Sequence, residues 1–146
     1  MSDTLKVCGL TIERGTKLRT YLPVPDTNVK IPLTIINGDQ DGPTLLITAG
    51  IHGGEYPGIA AAMELGRDIE PEHVTGCLIM MHPVNIQGFW ARREMIVPED
   101  GKNLNRVFPG DPTGTLADKT AYLISNNFFS IADFYVDMHS GDIHES

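Results

Sequence analysis

Seven residues, Leu45-Leu46-Ile47-Thr48-Ala49-Gly50-Ile51, form a near-continuous apolar run entered from Gly42-Pro43, and this run limits the fold more than any other feature. It is too apolar for a half-solvated strand, and it fits one buried on both faces, as happens where helices cover both sides of a sheet. Cys77 to Met81 and Asp133 to Met138 read as a second and third buried strand. Between them, the Ala-rich stretch Gly58 to Arg67 and the stretch from about Leu116 to Asn126 suit helices. Apolar strands alternating with helices indicate an α/β domain with a mostly parallel sheet. Ahead of the first run, Thr11-Ile12-Glu13, Leu18 to Leu22 and Ile31 to Ile36 are separated by Pro23-Val24-Pro25-Asp26 and closed by Asn37-Gly38-Asp39. These read as short strands and loops, so residues 1–30 form a strand-rich lead-in to a single domain spanning 1–146.

The 146 residues carry eleven Lys plus Arg against nineteen Asp plus Glu, a net charge of −8. That is the wrong sign for a phosphate backbone or an anionic membrane surface, so neither nucleic acid nor membrane is an expected partner. The apolar runs fall far short of the roughly 20 residues that a spanning helix needs. Met1-Ser2-Asp3-Thr4 opens without a basic region and apolar core, so the expectation is a soluble, cytoplasmic protein. Cys8 and Cys77 lie far apart and in no metal-ligand spacing. They are expected to be reduced, packed thiols.

In open α/β sheets the ligand crevice lies beyond the carboxyl ends of the strands. The three apolar runs exit into Ile51-His52-Gly53-Gly54-Glu55, His82-Pro83-Val84-Asn85 and His139-Ser140-Gly141-Asp142. His52 and Glu55, three residues apart, converge on one face if the backbone turns into a helix, with Gly53 and Gly54 giving the turn its freedom. Two imidazoles and one carboxylate make a recurring catalytic zinc set that leaves one position for water or substrate. His52, Glu55 and His139 would supply it, with one zinc per chain. The alternative is a backbone-bonded His52 and a Glu55 that serves only a helix N-terminus. Metal-bound imidazole usually donates its other N–H to a carboxylate or carbonyl. Asp137 is the expected partner of His139, with Asp142 next, unless the strand has already reached solvent there. His82 reads as a satisfied strand-end histidine, His73 as surface, and His144 is left out.

Arg92-Arg93-Glu94 and then Asp100-Gly101-Lys102-Asn103-Leu104-Asn105-Arg106-Val107-Phe108-Pro109-Gly110 concentrate basic residues in a Gly- and Pro-punctuated loop of an acidic chain. A guanidinium pairs a carboxylate in two-point fashion, so the loop suits a carboxylate-bearing small-molecule substrate. Surface ion pairs in a solvated loop are the equal alternative. Phe89, Trp90 and Phe108 flank the region and read as packing.

Taken together, His52-x-x-Glu55, the Asn103-Leu104-Asn105-Arg106-Val107-Phe108-Pro109-Gly110 stretch and Asp137-Met138-His139-Ser140-Gly141 closely resemble the succinylglutamate desuccinylase and aspartoacylase family of zinc-carboxypeptidase-like hydrolases. The resemblance runs from about residue 30 to the end and is nearest to the predicted deacylase branch. It implies a three-layer α/β/α fold with a mainly parallel mixed sheet, zinc held by His52, Glu55 and His139, and a substrate carboxylate held by Asn105 and Arg106. It also implies an arginine that polarises the scissile carbonyl, for which Arg93 matches better than Arg92. The family's general base is a glutamate well downstream of the third ligand, and Glu145 is too near to His139 to be its counterpart. The 146 residues are therefore expected to be the front part of a longer enzyme, binding metal weakly and turning over little alone.

The implied reaction is hydrolysis of an amide or ester of an N-acyl amino acid by zinc-activated water. A metallocarboxypeptidase acting on peptide C-termini stays open, as does a non-catalytic module that keeps the fold and binds ligand. No feature demands an oligomer. The acyl group is not specified by any motif.

Overall fold

The computed structural model describes residues 4–141. The lead-in is a hairpin, β1 (Thr4–Val7) paired antiparallel with β2 (Leu10–Glu13). Its turn is Cys8-Gly9, both at positive φ (49° and 77°), the twist that suits a two-residue hairpin loop. β1 was not expected from the sequence, since it offers only four residues around Lys6.

Five strands form the main sheet: β3 (Thr16–Pro23), β4 (Lys30–Asn37), β5 (Gln40–Ala49), β6 (Thr75–Met81) and β7 (Phe134–Met138). Their order across the sheet is β3-β4-β6-β5-β7. β4 runs antiparallel to both β3 and β6, with Ile35 opposite Leu18 and Ile79. β5 runs parallel to both β6 and β7, with Ile47 opposite Met80 and Val136. The sheet is therefore mixed, with its parallel half carrying the three strands whose exits were singled out.

Alternation along the strands separates two faces. Leu33, Ile35, Leu46, Ile79 and Met81 join one core with Val7, Ile12 and Phe128. Helix α3 (Leu116–Asn127) covers that face with Ala117, Ala121 and Ile124. On the other face Ile36, Ile47, Leu78 and Met80 form a smaller cluster. Helix α1 (Tyr56–Asp68) crosses there through small residues, and a Cβ at its Gly66 would meet His82 Nε2 at 3.1 Å and Thr34 Oγ1 at 3.2 Å. Helices on both faces of a mixed sheet give the three-layer arrangement. α1 starts two residues before the Ala-rich stretch, with a proline in its first turn, where its missing N–H costs nothing. At its other end Lys17 Nζ donates to the carbonyls of Arg67 and Ile69 at 2.7 Å each, a cation at the negative end of the helix.

β7 departs from the expected buried strand. Among the described residues it pairs only with β5, and Phe134, Tyr135 and Val136 are exposed. An apolar run reports the capacity to be buried, whereas burial itself depends on what packs beside it. No helix of the described residues is long and apolar enough to cross a membrane. Cys8 and Cys77 are free thiols, Cys77 buried and Cys8 half-buried.

At the start of α3, Asp118 accepts from the backbone N–H of Thr115 at 2.9 Å, from its hydroxyl at 2.8 Å and from Lys102 Nζ. The Lys102 ammonium first, then the Thr115 donors, pull its carboxyl down to about 2. A folded-state pKa below the unfolded value of about 3.9 contributes stability that is complete above pH 4 and lost as pH falls toward 2. Asp118→Asn, which keeps a cap acceptor but no charge, is expected to lower Tm at neutral pH. The gap between the two proteins should close between pH 4 and 2, read by thermal melts across that window. A gap that stays constant would mean the charge contributes nothing.

Candidate metal centre

β5 delivers the chain to the site through Gly50, at φ +70°, where a Cβ would lie 2.6 Å from Pro83 Cβ. His52-Gly53-Gly54-Glu55 then turns into α1. Neither Gly53 nor Gly54 has positive φ, so the conformational freedom expected of them is not what the turn uses. Gly53 is required for space: an added Cβ would sit 2.4 Å from Phe89 N and 2.5 Å from Gly88 C, in helix α2 (Ile86–Trp90).

His52 and Glu55 are buried at 8% and 9% exposure, and His139, the first residue after β7, is exposed. The ligand-capable atoms of these three side chains lie within 4.8 Å of one another. His52 Nδ1 is 2.8 Å from Glu55 Oε1, and His139 Nδ1 is 2.9 Å from Glu55 Oε2. The two rings meet edge to face with centroids 5.0 Å apart. Glu55 Oε2 also accepts from the backbone N–H of Ser140 at 3.1 Å, and Ser140 Oγ accepts from Gly58 N–H at 3.2 Å. The exit of β7 is thereby tied to the first turn of α1.

Asp137 binds His139 Nε2 through Oδ2 at 2.7 Å and takes a hydrogen bond from Thr48 Oγ1 through Oδ1 at 2.7 Å. Thr48 is fully buried and also bonds Tyr135 OH at 2.8 Å. Asp137 is therefore held from β5 and aimed at the imidazole. A carboxylate can only accept, so His139 Nε2 carries the hydrogen and Nδ1 turns toward Glu55. Partial burial opposes charge on His139, but the Asp137 bond and the Asp137 and Glu55 charges outweigh it and raise its pKa. Two imidazole nitrogens facing one carboxylate can hydrogen-bond to it when protonated or, when deprotonated, offer a donor set that fits a divalent metal.

Other expected residues fall around this cluster. Asn85, buried at 4% exposure, accepts from Gly88 N–H at 2.9 Å and donates to Ile96 O at 3.0 Å. It fastens the arginine loop to α2. Gly54 N–H donates to Glu94 O at 3.3 Å, so the Arg92-Arg93 segment adjoins the turn that carries His52 and Glu55. Both arginines are exposed, with Arg92 at φ 52°, and neither guanidinium bonds His52, Glu55 or His139. Asn105 and Arg106 occupy a 3-10 turn, Leu104–Arg106. Asn103, just before it, places Oδ1 3.1 Å from His52 Nε2.

His82 is buried, as a strand-end histidine should be, but only half satisfied. Nε2 bonds Thr34 Oγ1 at 3.0 Å, and Nδ1 finds no partner among the described residues. Burial pushes its pKa down. His73 is exposed, Trp90 is exposed at 73%, and Phe89 packs edge to face on Tyr56. Asp142, His144 and Glu145 lie outside the described residues. Asn103, Ser140, Asn85 and Thr48 were missed as parts of the site, because each acts through a contact between distant segments that spacing does not report.

Residues 41–145 match the family model of the succinylglutamate desuccinylase/aspartoacylase catalytic domain. The chain is similar to the N-alpha-acetyl-L-2,4-diaminobutyric acid deacetylase of Halomonas elongata, 40% identical in an alignment of length 128 that covers 83% of this chain and 37% of that protein. It is also similar to two solved structures. One is the product-bound ectoine utilization protein EutE (DoeB) of Ruegeria pomeroyi, at 35% identity and TM-score 0.83 over 97% of this chain and 44% of that one. The other is a succinylglutamate desuccinylase/aspartoacylase of Rhodobacter sphaeroides, at 34% identity and TM-score 0.82 with the same coverage. The chain thus spans less than half the length of these relatives.

Proposed function

The chain belongs to the succinylglutamate desuccinylase/aspartoacylase family, and from that premise we propose that it carries the metal half of a zinc-dependent hydrolase of N-acyl amino acids. The observation that carries this reading is the convergence of His52 Nδ1, Glu55 and His139 Nδ1, with His139 already oriented by Asp137. His52, Glu55 and His139 would hold zinc. When bound, zinc supplies polarisation of the scissile carbonyl and activation of water.

The chain's own groups do the rest. Asp137 fixes the His139 tautomer and is itself fixed by Thr48. Asn105 and Arg106 bind the substrate carboxylate, a role supported by the hydrogen bond from Asn105 N–H to Asn103, which borders His52. Arg93 would stabilise the developing oxyanion, a role supported by the tether between Gly54 and Glu94 that brings its loop beside the His52–Glu55 turn. The proton acceptor is assigned to none of the described residues. The deacetylase relative supports a small acylated amino acid as substrate.

The test is elemental metal content of the purified chain together with a substrate panel on the full-length protein. One zinc per chain is expected, with turnover of N-acyl amino acids exceeding that of short peptides and of the same amides lacking the carboxylate. Arg106→Ala should raise KM for carboxylate-bearing substrates by roughly 10–100-fold, the worth of a charge-assisted hydrogen-bonded pair. Faster turnover of peptides would favour a carboxypeptidase, and ligand binding without any turnover would favour a binding module.

A further inference from the structure

We infer that Tyr135 is a positioning residue for the metal centre, acting through Thr48 and Asp137 on His139. The inference rests on the zinc reading above and extends it to a phenol that no motif marks. Tyr135 OH lies 2.8 Å from Thr48 Oγ1, and Thr48 Oγ1 lies 2.7 Å from Asp137 Oδ1. A carboxylate can only accept, so the single hydroxyl hydrogen of Thr48 goes to Asp137. Thr48 then has no hydrogen to give Tyr135, and the phenol must be the donor between them. Partial burial raises the pKa of that phenol above its ordinary value, so it keeps its hydrogen at neutral pH. The result is a one-way chain of donors ending on the carboxylate whose other oxygen meets His139 Nε2 at 2.7 Å.

Strand register explains why the chain of donors closes. β5 and β7 pair with Leu46 opposite Tyr135 and Thr48 opposite Asp137. Residues two apart on a strand share a face, so Tyr135 and Asp137 both stand beside Thr48, on the face of the sheet that α3 covers. Thr48 is fully buried, so without the phenol its hydroxyl oxygen would lose its only other partner. Tyr135 is itself 43% exposed, on a strand that among the described residues pairs only with β5, and its ring is held from elsewhere. It packs against Phe129 with centroids 5.0 Å apart, and Phe129 stacks on Phe108 at 6.1 Å. Phe108 lies two residues after Arg106. An aromatic ladder thus runs from the proposed carboxylate clamp to the phenol, and hydrogen bonds run from the phenol to His139.

The hydroxyl must be separated from the ring, and Tyr135→Phe does this because phenylalanine keeps the contact with Phe129. Valine in place of Thr48 keeps the branched shape but can neither accept from Tyr135 nor donate to Asp137. The experiment compares the full chain with Tyr135→Phe, Thr48→Val and the double substitution. Zinc affinity is measured by competition with a chromophoric chelator. The hydrogen on each His139 ring nitrogen is read by ¹⁵N NMR of the metal-free proteins, with His139 assigned by its absence in His139→Gln.

Tyr135→Phe is expected to bind zinc about 2–10-fold more weakly, the worth of one hydrogen bond. Thr48→Val should lose at least as much, since it removes both bonds of the chain. Adding Tyr135→Phe to Thr48→Val should then change the affinity by less than about twofold, because the phenol acts only through that hydroxyl. Nε2 of His139 should carry the hydrogen in the unsubstituted protein and hold it less exclusively in Tyr135→Phe. Unchanged zinc affinity in Tyr135→Phe, an equal Tyr135→Phe loss with and without Thr48, or a His139 spectrum that Tyr135→Phe leaves unaltered would each overturn the inference. If the unsubstituted chain binds no zinc, the proposed function fails instead, and the ¹⁵N spectra still decide the role of Tyr135.

Discussion

The His52→Ala chain is expected to hold no zinc at the concentration where the unsubstituted chain holds one equivalent, and the same substitution in the full-length protein to cost about 10³-fold or more in hydrolytic rate. The size follows from a comparison of roles. Removing a residue that only orients a ligand costs about 10–100-fold in metal affinity, so removing the ligand itself must cost more. Glu55 and His139 would remain, and two donors do not fill a set that needs three protein ligands with one open position. Asp137→Asn gives the internal scale, since its amide can still meet both Thr48 and His139. Its loss should stay within the 10–100-fold range. Chelator competition on both variants, with circular dichroism to confirm folding, checks the ordering. Equal zinc affinity in His52→Ala and the unsubstituted protein would remove His52 from the metal site.

Gly53→Ala is expected to damage stability and the candidate metal site together, because the added methyl group falls in the turn that carries His52 and Glu55. Overpacking commonly costs about 1–3 kcal/mol when side chains can move aside. At Gly53 the obstacles are Phe89 N, Gly88 C and Gly88 Cα, 2.4, 2.5 and 2.9 Å from the added carbon. Those are backbone atoms, so no rotamer relieves the overlap, and the cost should reach the top of that range or exceed it. The turn and α2 must separate, and the displaced turn carries both His52 and Glu55. A shift of about 1 Å at a reacting group can cost on the order of 10²-fold in rate, so activity and zinc affinity should fall even where the protein remains folded. Gly9→Ala is the control, with positive φ but no neighbour within 4 Å. Chemical denaturation of the two variants beside zinc affinity distinguishes backbone strain from crowding at the site. A Gly53→Ala protein with unsubstituted stability and zinc affinity would mean that the α2 contact is not needed.

Much of this architecture was legible in the chain because burial and periodicity are local properties. Leu45 to Ile51 reads as a buried strand because no polar residue larger than Thr48 interrupts it, and the last of its sheet positions is Ala49. His52, Glu55 and His139 could be singled out because a parallel sheet places its strand exits at one edge, and that edge is where ligands bind. The α3 helix was nearly complete from its pattern, ending one residue beyond the expected Asn126.

What the sequence by itself determined is the set of donors and the edge of the sheet on which they gather. The tertiary structure decided how those donors are aimed. Asp137 reaches His139 because Thr48, 89 positions away along the chain, holds its other oxygen. Asn103 reaches His52 across 51 positions, and Gly53 is needed because α2 passes within van der Waals distance of it. The same difference explains β7, whose apolar residues face outward beyond a single pairing partner. Residue type and spacing specify which groups can bind, pack or turn, since those are properties of a few neighbouring residues. Orientation and burial depend on contacts between segments far apart in the chain, and only the folded backbone brings those together.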